Sequence, residues 1–366
     1  MQQHQKRKHF IFVIQAIVGG GAERVVLNLA KLLQPKHRVS IITFDAAKEH
    51  DIDFEVDFLV FNHHKYHQGK YQALPRDIRH RIISNRLDRF IKKNLSSPNE
   101  DIFVLANLPS AEFFLKHSRF RGAYIIHSTL YRNRKDTVSP ASWKRKAKRE
   151  FSVYGKKPCI AVSDGVKQDM LNTLPGISVR TIYNPVIPSV LIEKSSQSSK
   201  KKLPESYVIH VGRFCKEKRH DLLIDAYYKS NIQTPLVLVG KGELESSIRT
   251  QIKDLGLEKK VILAGFIKNP YPYVSKAKFM VLSSEVEGLP TVLLESLALG
   301  TPAISFDCPS GPSEILPPSN LAPHLDVDRL AQLISSANQN PNAFQSPLGT
   351  QFSDDSIIKE YEKISS

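Results

Sequence analysis

Short β-branched apolar runs alternate with amphipathic helical stretches along the chain, and this constrains the fold more than any other feature. In the first half the runs are Phe10–Ile14, Val39–Phe44, Ile102–Ala106, Tyr124–Ile126, Cys159–Val162 and Val179–Tyr183, with helical stretches at 22–33, 77–95, 141–154 and 164–172. In the second half they are Tyr207–Val211, Leu236–Val239, Val261–Ala264, Phe279–Leu282 and Ala303–Phe306, with helical stretches at 219–230, 243–255, 290–299 and 326–337. Runs apolar on both faces need cover on both faces, so the pattern predicts doubly wound parallel sheets. A polar serine-lysine stretch from Glu193 to Lys202 separates the halves. The expected organisation is an N-terminal domain over 1–187, a linker over 188–204, a C-terminal domain over 205–350, and a C-terminal helix over 351–366 able to pack back on the first domain.

Composition removes several classes. Apolar residues make up 41% and charged residues 24% of the 366, which excludes a largely disordered chain. No run approaches the roughly 20 apolar residues of a membrane span. The basic stretch ahead of Phe10–Ile14 mimics a signal peptide, but the apolar run is short and reads as a buried first strand. Three distant cysteines, Cys159, Cys215 and Cys308, form neither a disulfide framework nor a cysteine zinc site, and fit a reducing compartment. The net charge of +16 is lopsided: residues 1–200 hold 34 of the 52 Lys and Arg but 17 of the 36 Asp and Glu. The basic half is therefore expected to face a polyanion.

Three stretches carry chemistry. Gly19-Gly20-Gly21 stands between the first strand and first helix, where glycines let backbone N–H groups approach an anion. As a dinucleotide fingerprint it keeps Gly19 and Gly21 but has Arg24 at the third glycine position, with Asp45 ending the second strand; this leaves an NAD enzyme as a rival reading. Val211-Gly212-Arg213-Phe214-Cys215-Lys216-Glu217-Lys218 follows the first strand of the second half, and Arg213 and Lys218 can converge on one phosphate. Ser283 to Pro302 runs from a strand end through Glu287-Gly288-Leu289-Pro290-Thr291 into a helix carrying Glu295. It offers a carboxylate for sugar hydroxyls, the Leu289 and Thr291 N–H groups at a helix start, and a second carboxylate for a ribose diol.

The last stretch resembles the Glu-x7-Glu signature of family-4 retaining glycosyltransferases, particularly bacterial enzymes that build lipid-linked glycans or lipopolysaccharide. Gly212-Arg213 with Lys218 resembles the phosphate pair of that family, Val239-Gly240-Lys241-Gly242-Glu243-Leu244 its nucleotide-side loop, Gly265-Phe266 its base-reading turn, and Gly19 to Val25 its N-terminal loop. The resemblance covers roughly 10–45 and 205–315. It implies the GT-B fold, two Rossmann-like doubly wound domains facing a central cleft. It further implies that Arg213 and Lys218 neutralise a leaving diphosphate, that Glu287 binds the donor sugar and Glu295 the ribose, and that His127 lies near the donor sugar. Gly20, Gly21, Gly240, Phe266, Leu289 and Thr291 complete the implied nucleotide-sugar contacts. The implied reaction is retaining transfer of a hexose or N-acetylhexosamine from a nucleotide-diphosphate sugar, with UDP-sugar as the expected donor, to a lipid-linked or lipopolysaccharide acceptor. No cofactor and no metal are implied, and the expected location is peripheral, on the inner face of the cytoplasmic membrane. The chain departs from the family after Ser310-Gly311-Pro312-Ser313-Glu314-Ile315, where Leu316 to Asn320 replaces a Gly-x-Asn-Gly turn.

Other features read as structural. Asp51 with Asp53 and Asp326 with Asp328 mimic metal-binding Asp-x-Asp, but the second pair sits at a helix start. His63, His64 and His67 lack an obvious carboxylate partner. Two basic helical stretches remain. In 76–95 an apolar face of Ile78, Ile82, Leu87 and Ile91 is expected. In 141–154 a stripe of Trp143, Ala147, Phe151 and Tyr154 lies beside Lys144, Arg145, Lys146, Lys148 and Arg149. They suit an anionic membrane surface. A non-enzymatic nucleic-acid module is the other rival, although no nucleic-acid motif accompanies the charge.

Overall fold

The alternation resolves into two parallel sheets in the computed structural model, which describes residues 7–18, 20–47, 52, 54–97, 100–129, 139–198 and 201–366. Gly19, Asp51 and Asp53 lie outside the described residues, as do the side chains of Trp143 and Lys144. One unit takes the chain to Pro185 and again from Ser353 to Ser366; the other is Val186–Phe352.

In the first unit the strands are β1 (Lys8–Ile14), β2 (Arg38–Thr43), β3 (Asp57–Val60), β4 (Asp101–Asn107), β5 (Arg121–Ile126), β6 (Cys159–Ala161) and β7 (Val179–Thr181). They pair in parallel in the order β3-β2-β1-β4-β5-β6-β7. Helices α1 (Gly21–Leu33), α2 (Arg76–Leu95), α3 (Leu108–Leu115), α4 (Pro140–Tyr154) and α5 (Asp164–Thr173) lie in the connections other than that from β2 to β3. Every residue of β1 is buried, as a central strand covered on both faces requires.

The second unit opens with α6 (Pro188–Ser195) and continues β8 (Val208–Val211), α7 (His220–Ser230), β9 (Leu236–Val239), α8 (Glu245–Asp254), β10 (Val261–Gly265), α9 (Tyr271–Val274), β11 (Phe279–Leu282), α10 (Thr291–Ala298), β12 (Ala303–Phe306), α11 (Pro312–Ile315), β13 (Leu321–Ala322) and α12 (Val327–Gln339). Its parallel order is β10-β9-β8-β11-β12-β13. Val208, Leu236, Phe279 and Ile304 from the sheet join Leu223, Ile248 and Leu330 from the helices in one core. A last helix, α13 (Asp354–Ser365), belongs to the first unit. There the buried Lys8 ammonium donates to Ser365 Oγ at 2.9 Å, and His37 Nε2 lies 3.1 Å from Glu362 Oε1.

Three expectations need correction. The stretch 188–204 is not a plain linker: Pro188 starts α6, which buries Leu191 and packs on α9 and α10. The buried face of α2 is Ile83, Leu87, Ile91 and Leu95, four residues apart; Ile78 is 49% exposed, so the expected face was rotated at its start. On α4, Tyr154 is buried and Phe151 is 45% exposed, so the expected stripe is not one surface.

Tyr154 is buried for a polar reason. Its hydroxyl donates to Glu112 Oε2 at 2.7 Å, joining α4 to α3. Burial pushes the Glu112 carboxyl up to about 8, overriding the opposing effect of the Tyr154 hydrogen bond. A carboxyl with a raised folded pKa is protonated in the fold where the unfolded chain is already ionised. Its contribution is therefore greatest below the unfolded value near 4.5 and is lost as pH rises towards about 8. Glu112→Gln should flatten this decline, gaining thermal stability over the parent at pH 8–9 and little at pH 4–5. Melting curves across pH 4–9 check this; parallel curves for both proteins would refute it.

Candidate active site

In each sheet the strand order reverses beside the first strand, between β1 and β4 and between β8 and β11. The loops leaving the carboxyl ends of such neighbours diverge and leave a crevice. In the second unit these loops are 212–219 and 283–290, so the topology itself brings together two candidate stretches that are 69 residues apart at Lys218 and Glu287.

The loop after β8 is laced first to the loop after β9. Gly212 N–H donates to Val239 O at 3.0 Å, Phe214 N–H to Lys241 O at 3.0 Å, and Leu244 N–H to Phe214 O at 3.1 Å. The backbones approach so closely that a Cβ on Gly240 would lie 1.9 Å from Gly212 O, and one on Gly242 2.3 Å from Phe214 O. Glycine is required at both positions by this contact. Beyond it the chain makes a 3₁₀ turn over Lys216–Lys218. Lys218 Nζ then reaches Glu287 Oε1 at 2.5 Å, a half-buried ion pair. Backbone contacts brace it: Ser283 Oγ donates to Lys218 O at 2.8 Å, and Glu285 N–H donates to Glu217 O at 2.8 Å. Arg213, on the same loop, is exposed.

The turn before α10 is braced from the far side. Ser310 Oγ donates to Gly288 O at 2.7 Å, and Gly311, at φ +94°, packs so tightly that a Cβ would lie 2.4 Å from Pro290 Cδ. The departure at 316–320 therefore leaves both residues against the 288–290 turn. Leu289 is buried and Thr291 opens the helix. Glu295 is only 6% exposed, and its Oε1 accepts from the Tyr271 hydroxyl at 3.3 Å. The two glutamates thus differ in kind: one sits in a loop against a lysine, the other inside a helix against a tyrosine.

Phe266 follows Gly265, whose φ of +70° turns the chain out of β10, and its ring is 58% exposed. Lys241 Nζ lies 4.9 Å from that ring's centroid, within cation–π range. An exposed flat ring beside a lysine suits a nucleobase face.

In the first unit Gly20 caps α1 and Gly21 is its first residue. The Glu23 carboxylate folds back so that a Cβ on Gly20 would lie 2.1 Å from Oε2. His127 follows β5, and its Nε2 donates to Asn107 Oδ1 at 3.0 Å, at the end of the neighbouring β4. Burial lowers its pKa to about 4, so the ring is neutral and Nδ1 keeps its lone pair. Such an imidazole accepts a hydrogen bond from a hydroxyl rather than serving as an acid.

Sequence reading missed the roles of Asn107, Tyr271, Lys241, Arg219 and Glu285; Lys241, Arg219 and Glu285 lie in or next to stretches already singled out, but their partners are brought to them only by the fold. Among the described residues no group of three or more His, Cys, Asp or Glu is placed to hold a metal. Asp326 accepts from Arg329 N–H as a helix cap, and Asp328 pairs with Lys229. His63 and His67 share a 3.1 Å hydrogen bond beside Phe44 and Phe114, and His64 does have a carboxylate partner, Asp45, at 2.7 Å.

Comparison with known proteins bears on family and fold. Residues 19–190 match the model described as Glycosyltransferase Family 4, and residues 192–348 that described as Glycosyl transferases group 1. A Campylobacter jejuni N-acetylgalactosamine-N,N'-diacetylbacillosaminyl-diphospho-undecaprenol 4-alpha-N-acetylgalactosaminyltransferase is 35% identical over 160 residues, 44% of this chain and 41% of that enzyme. The chain thus spans less than half the length of that relative. A second Campylobacter jejuni enzyme, a GalNAc-alpha-(1->4)-GalNAc-alpha-(1->3)-diNAcBac-PP-undecaprenol alpha-1,4-N-acetyl-D-galactosaminyltransferase, is 25% identical over 83% of this chain and 81% of its own. Among solved structures, Staphylococcus aureus TarM with UDP, alpha-GlcNAc-glycerol and fondaparinux superposes with a TM-score of 0.75 at 15% identity, covering 98% of this chain and 99% of that one. That likeness is one of fold, the GT-B type.

Proposed function

Because the chain belongs to the family-4 glycosyltransferases, with one family model on each half, we propose that it moves a hexose or N-acetylhexosamine from a UDP-sugar to a lipid-linked or lipopolysaccharide glycan, with retention at the anomeric carbon. The observation that carries the reading is the Lys218–Glu287 pair at the strand-order switch: a cation for a leaving diphosphate beside a carboxylate for sugar hydroxyls. The undecaprenol-linked acceptors in the relatives' names support the acceptor class, and the UDP in the TarM structure supports the nucleotide. The alpha linkages in those names support retention, because sugar nucleotides of this kind are themselves alpha-linked.

The residues fit this chemistry through charge and position. Arg213 and Lys218 meet the diphosphate, Glu287 the donor sugar, Glu295 the ribose, and the Phe266 turn the base. Attack from the leaving-group face lets the departing phosphate take the acceptor proton, so the protein supplies orientation and charge stabilisation. Calorimetry against UDP, GDP, ADP and NAD, followed by UDP-sugars, tests the reading. UDP is expected to bind; binding of NAD without any nucleoside diphosphate would reject it.

The two glutamates should separate binding of the nucleotide from use of the sugar. Glu295→Gln is expected to weaken UDP by about tenfold, the loss of one or two charge-assisted hydrogen bonds. Glu287→Gln should leave UDP within about twofold and slow sugar transfer. Equal losses for UDP in both variants would contradict the division.

The acceptor's lipid places the working enzyme near a bilayer. Among the described residues no helix is long and apolar enough to cross one. Docking would use the basic first unit. There Arg76 of α2 and Arg149 of α4 lie 5.4 and 5.9 Å from the ring of Phe113 on α3, joining two basic helices, each of which also exposes an apolar side chain, Ile78 and Phe151. Each basic residue near an anionic surface is worth about 1 kcal/mol. Vesicles with anionic lipid should sediment the protein, with binding that falls as salt rises; neutral vesicles should not. Changing Lys144, Arg145, Lys146, Lys148 and Arg149 to Gln should reduce sedimentation and spare UDP binding. No binding to anionic vesicles at low salt would remove the membrane claim.

A further inference from the structure

Lys218 is followed by a residue with an unusual backbone. Arg219 has φ +46° and ψ +50°, the left-handed region that glycine favours and other residues seldom enter. It is also the last residue before α7, where Leu223 N–H donates to Arg219 O at 3.1 Å. A glycine would make this turn more easily, so the side chain is the feature to explain.

Each nitrogen of that side chain has a carboxylate partner. Its Nε and Nη2 fork onto the Asp221 carboxylate at 3.0 and 2.8 Å, and Nη1 reaches across to Glu285 Oε2 at 3.1 Å. Glu285 stands two residues before Glu287. The Arg219–Glu285 pair therefore spans the same two loops as Lys218–Glu287, one residue further along, with the Glu285–Glu217 backbone bond beside it. The planar guanidinium can hold one carboxylate with a fork and a second with its remaining nitrogen, which an ammonium cannot do in fixed geometry. Lys218 is a flexible four-carbon stem that pays rotamer entropy to stay in place. Fixing the backbone on either side of it, and the loop bearing its partner, is the way to lower that cost.

We propose that Arg219 is a positioning residue: by clamping Glu285 to the start of α7, it holds the Lys218 and Glu287 loops in register, and it touches no substrate itself. The proposal builds on the reading that Lys218 meets a diphosphate, but its first test needs no ligand. The rate at which an N-hydroxysuccinimide acetate ester acetylates Lys218 in the native chain, followed by mass spectrometry, reports how often the ammonium leaves Glu287. Arg219→Gly suits the left-handed turn and removes only the clamp. It should raise the Lys218 rate by about two- to fivefold, the range one solvent-accessible ion pair controls. Glu285→Gln should do the same, and Arg219→Lys should fall between. Lys253 and Lys278 in the same chains are controls, Lys278 being held by Asn338 at 3.1 Å. An unchanged Lys218 rate in both Arg219→Gly and Glu285→Gln would overturn the proposal. So would a rise that Lys278 shares, because that means general loosening.

A second arm titrates UDP. Arg219→Gly should weaken it several-fold in the parent and add nothing in a Lys218→Ala background, because the arginine acts through the lysine. Additive losses would make Arg219 a direct ligand and overturn its positioning role. Failure of the parent to bind UDP would count against the proposed donor, while the acetylation rates would still decide the clamp.

Discussion

Lys218→Ala is expected to lower kcat by about 10²–10³-fold, the size of effect seen when one preorganised charge stabiliser is removed from a developing anion. Two consequences combine. On the proposed reading a diphosphate loses one of its two cations, and Glu287, held half-buried by the surrounding loops, loses its 2.5 Å partner and is left to repel an anionic donor. KM for the donor should rise less than kcat falls, since the charge on the leaving oxygen grows as the bond breaks. Arg213→Ala should show a similar kcat loss without the Glu287 component, because Arg213 is exposed. Steady-state kinetics on folded variants check this; turnover within threefold of the parent for Lys218→Ala would place the chemistry elsewhere.

Gly240→Ala is expected to destabilise the second unit by about 2–4 kcal/mol, the cost of overpacking against atoms that cannot move aside. The added methyl would meet Gly212 O at 1.9 Å and the Phe214 ring at 3.1 Å, and the first of these is backbone at the end of a central strand. Relief requires the 212–218 loop to move as a body, which carries Lys218 away from Glu287. UDP binding should therefore fall together with stability. Gly21→Ala is the matched control: a Cβ there meets nothing within 4 Å, so the change should be within about 0.5 kcal/mol. Denaturant melts of both variants decide, and equal stabilities would show that the two loops are not locked.

The sheets were legible because each central strand is a run of apolar β-branched residues with a helical period on either side. Elements without that contrast were not. β3 is four residues with two exposed ends, α3 begins at Leu108 in a left-handed conformation, and α6 hides in a polar stretch with one buried leucine. At the candidate site, the stretches that meet as the Lys218–Glu287 pair were readable because their local settings, a glycine loop and a helix start, are themselves sequence. The burial of Glu295 under Tyr271 and the Arg219–Glu285 clamp were not, because they depend on which strands lie side by side. A left-handed arginine has no composition signal at all; its backbone angle becomes visible only when the turn is built.

The return of α13 to the first unit has a consequence for synthesis. Residues 186–352 form an uninterrupted stretch inserted into a unit whose two parts are separated by all of it. On a ribosome the inserted unit can close as soon as it has emerged. The outer unit waits, since the hydrogen bond from Lys8 to Ser365 joins residues 357 apart in the chain. Until the last turn of α13 appears, the Lys8 ammonium and the imidazole of His37 have no Ser365 or Glu362 to meet. Translation order thus makes the first unit to be made the last to be completed.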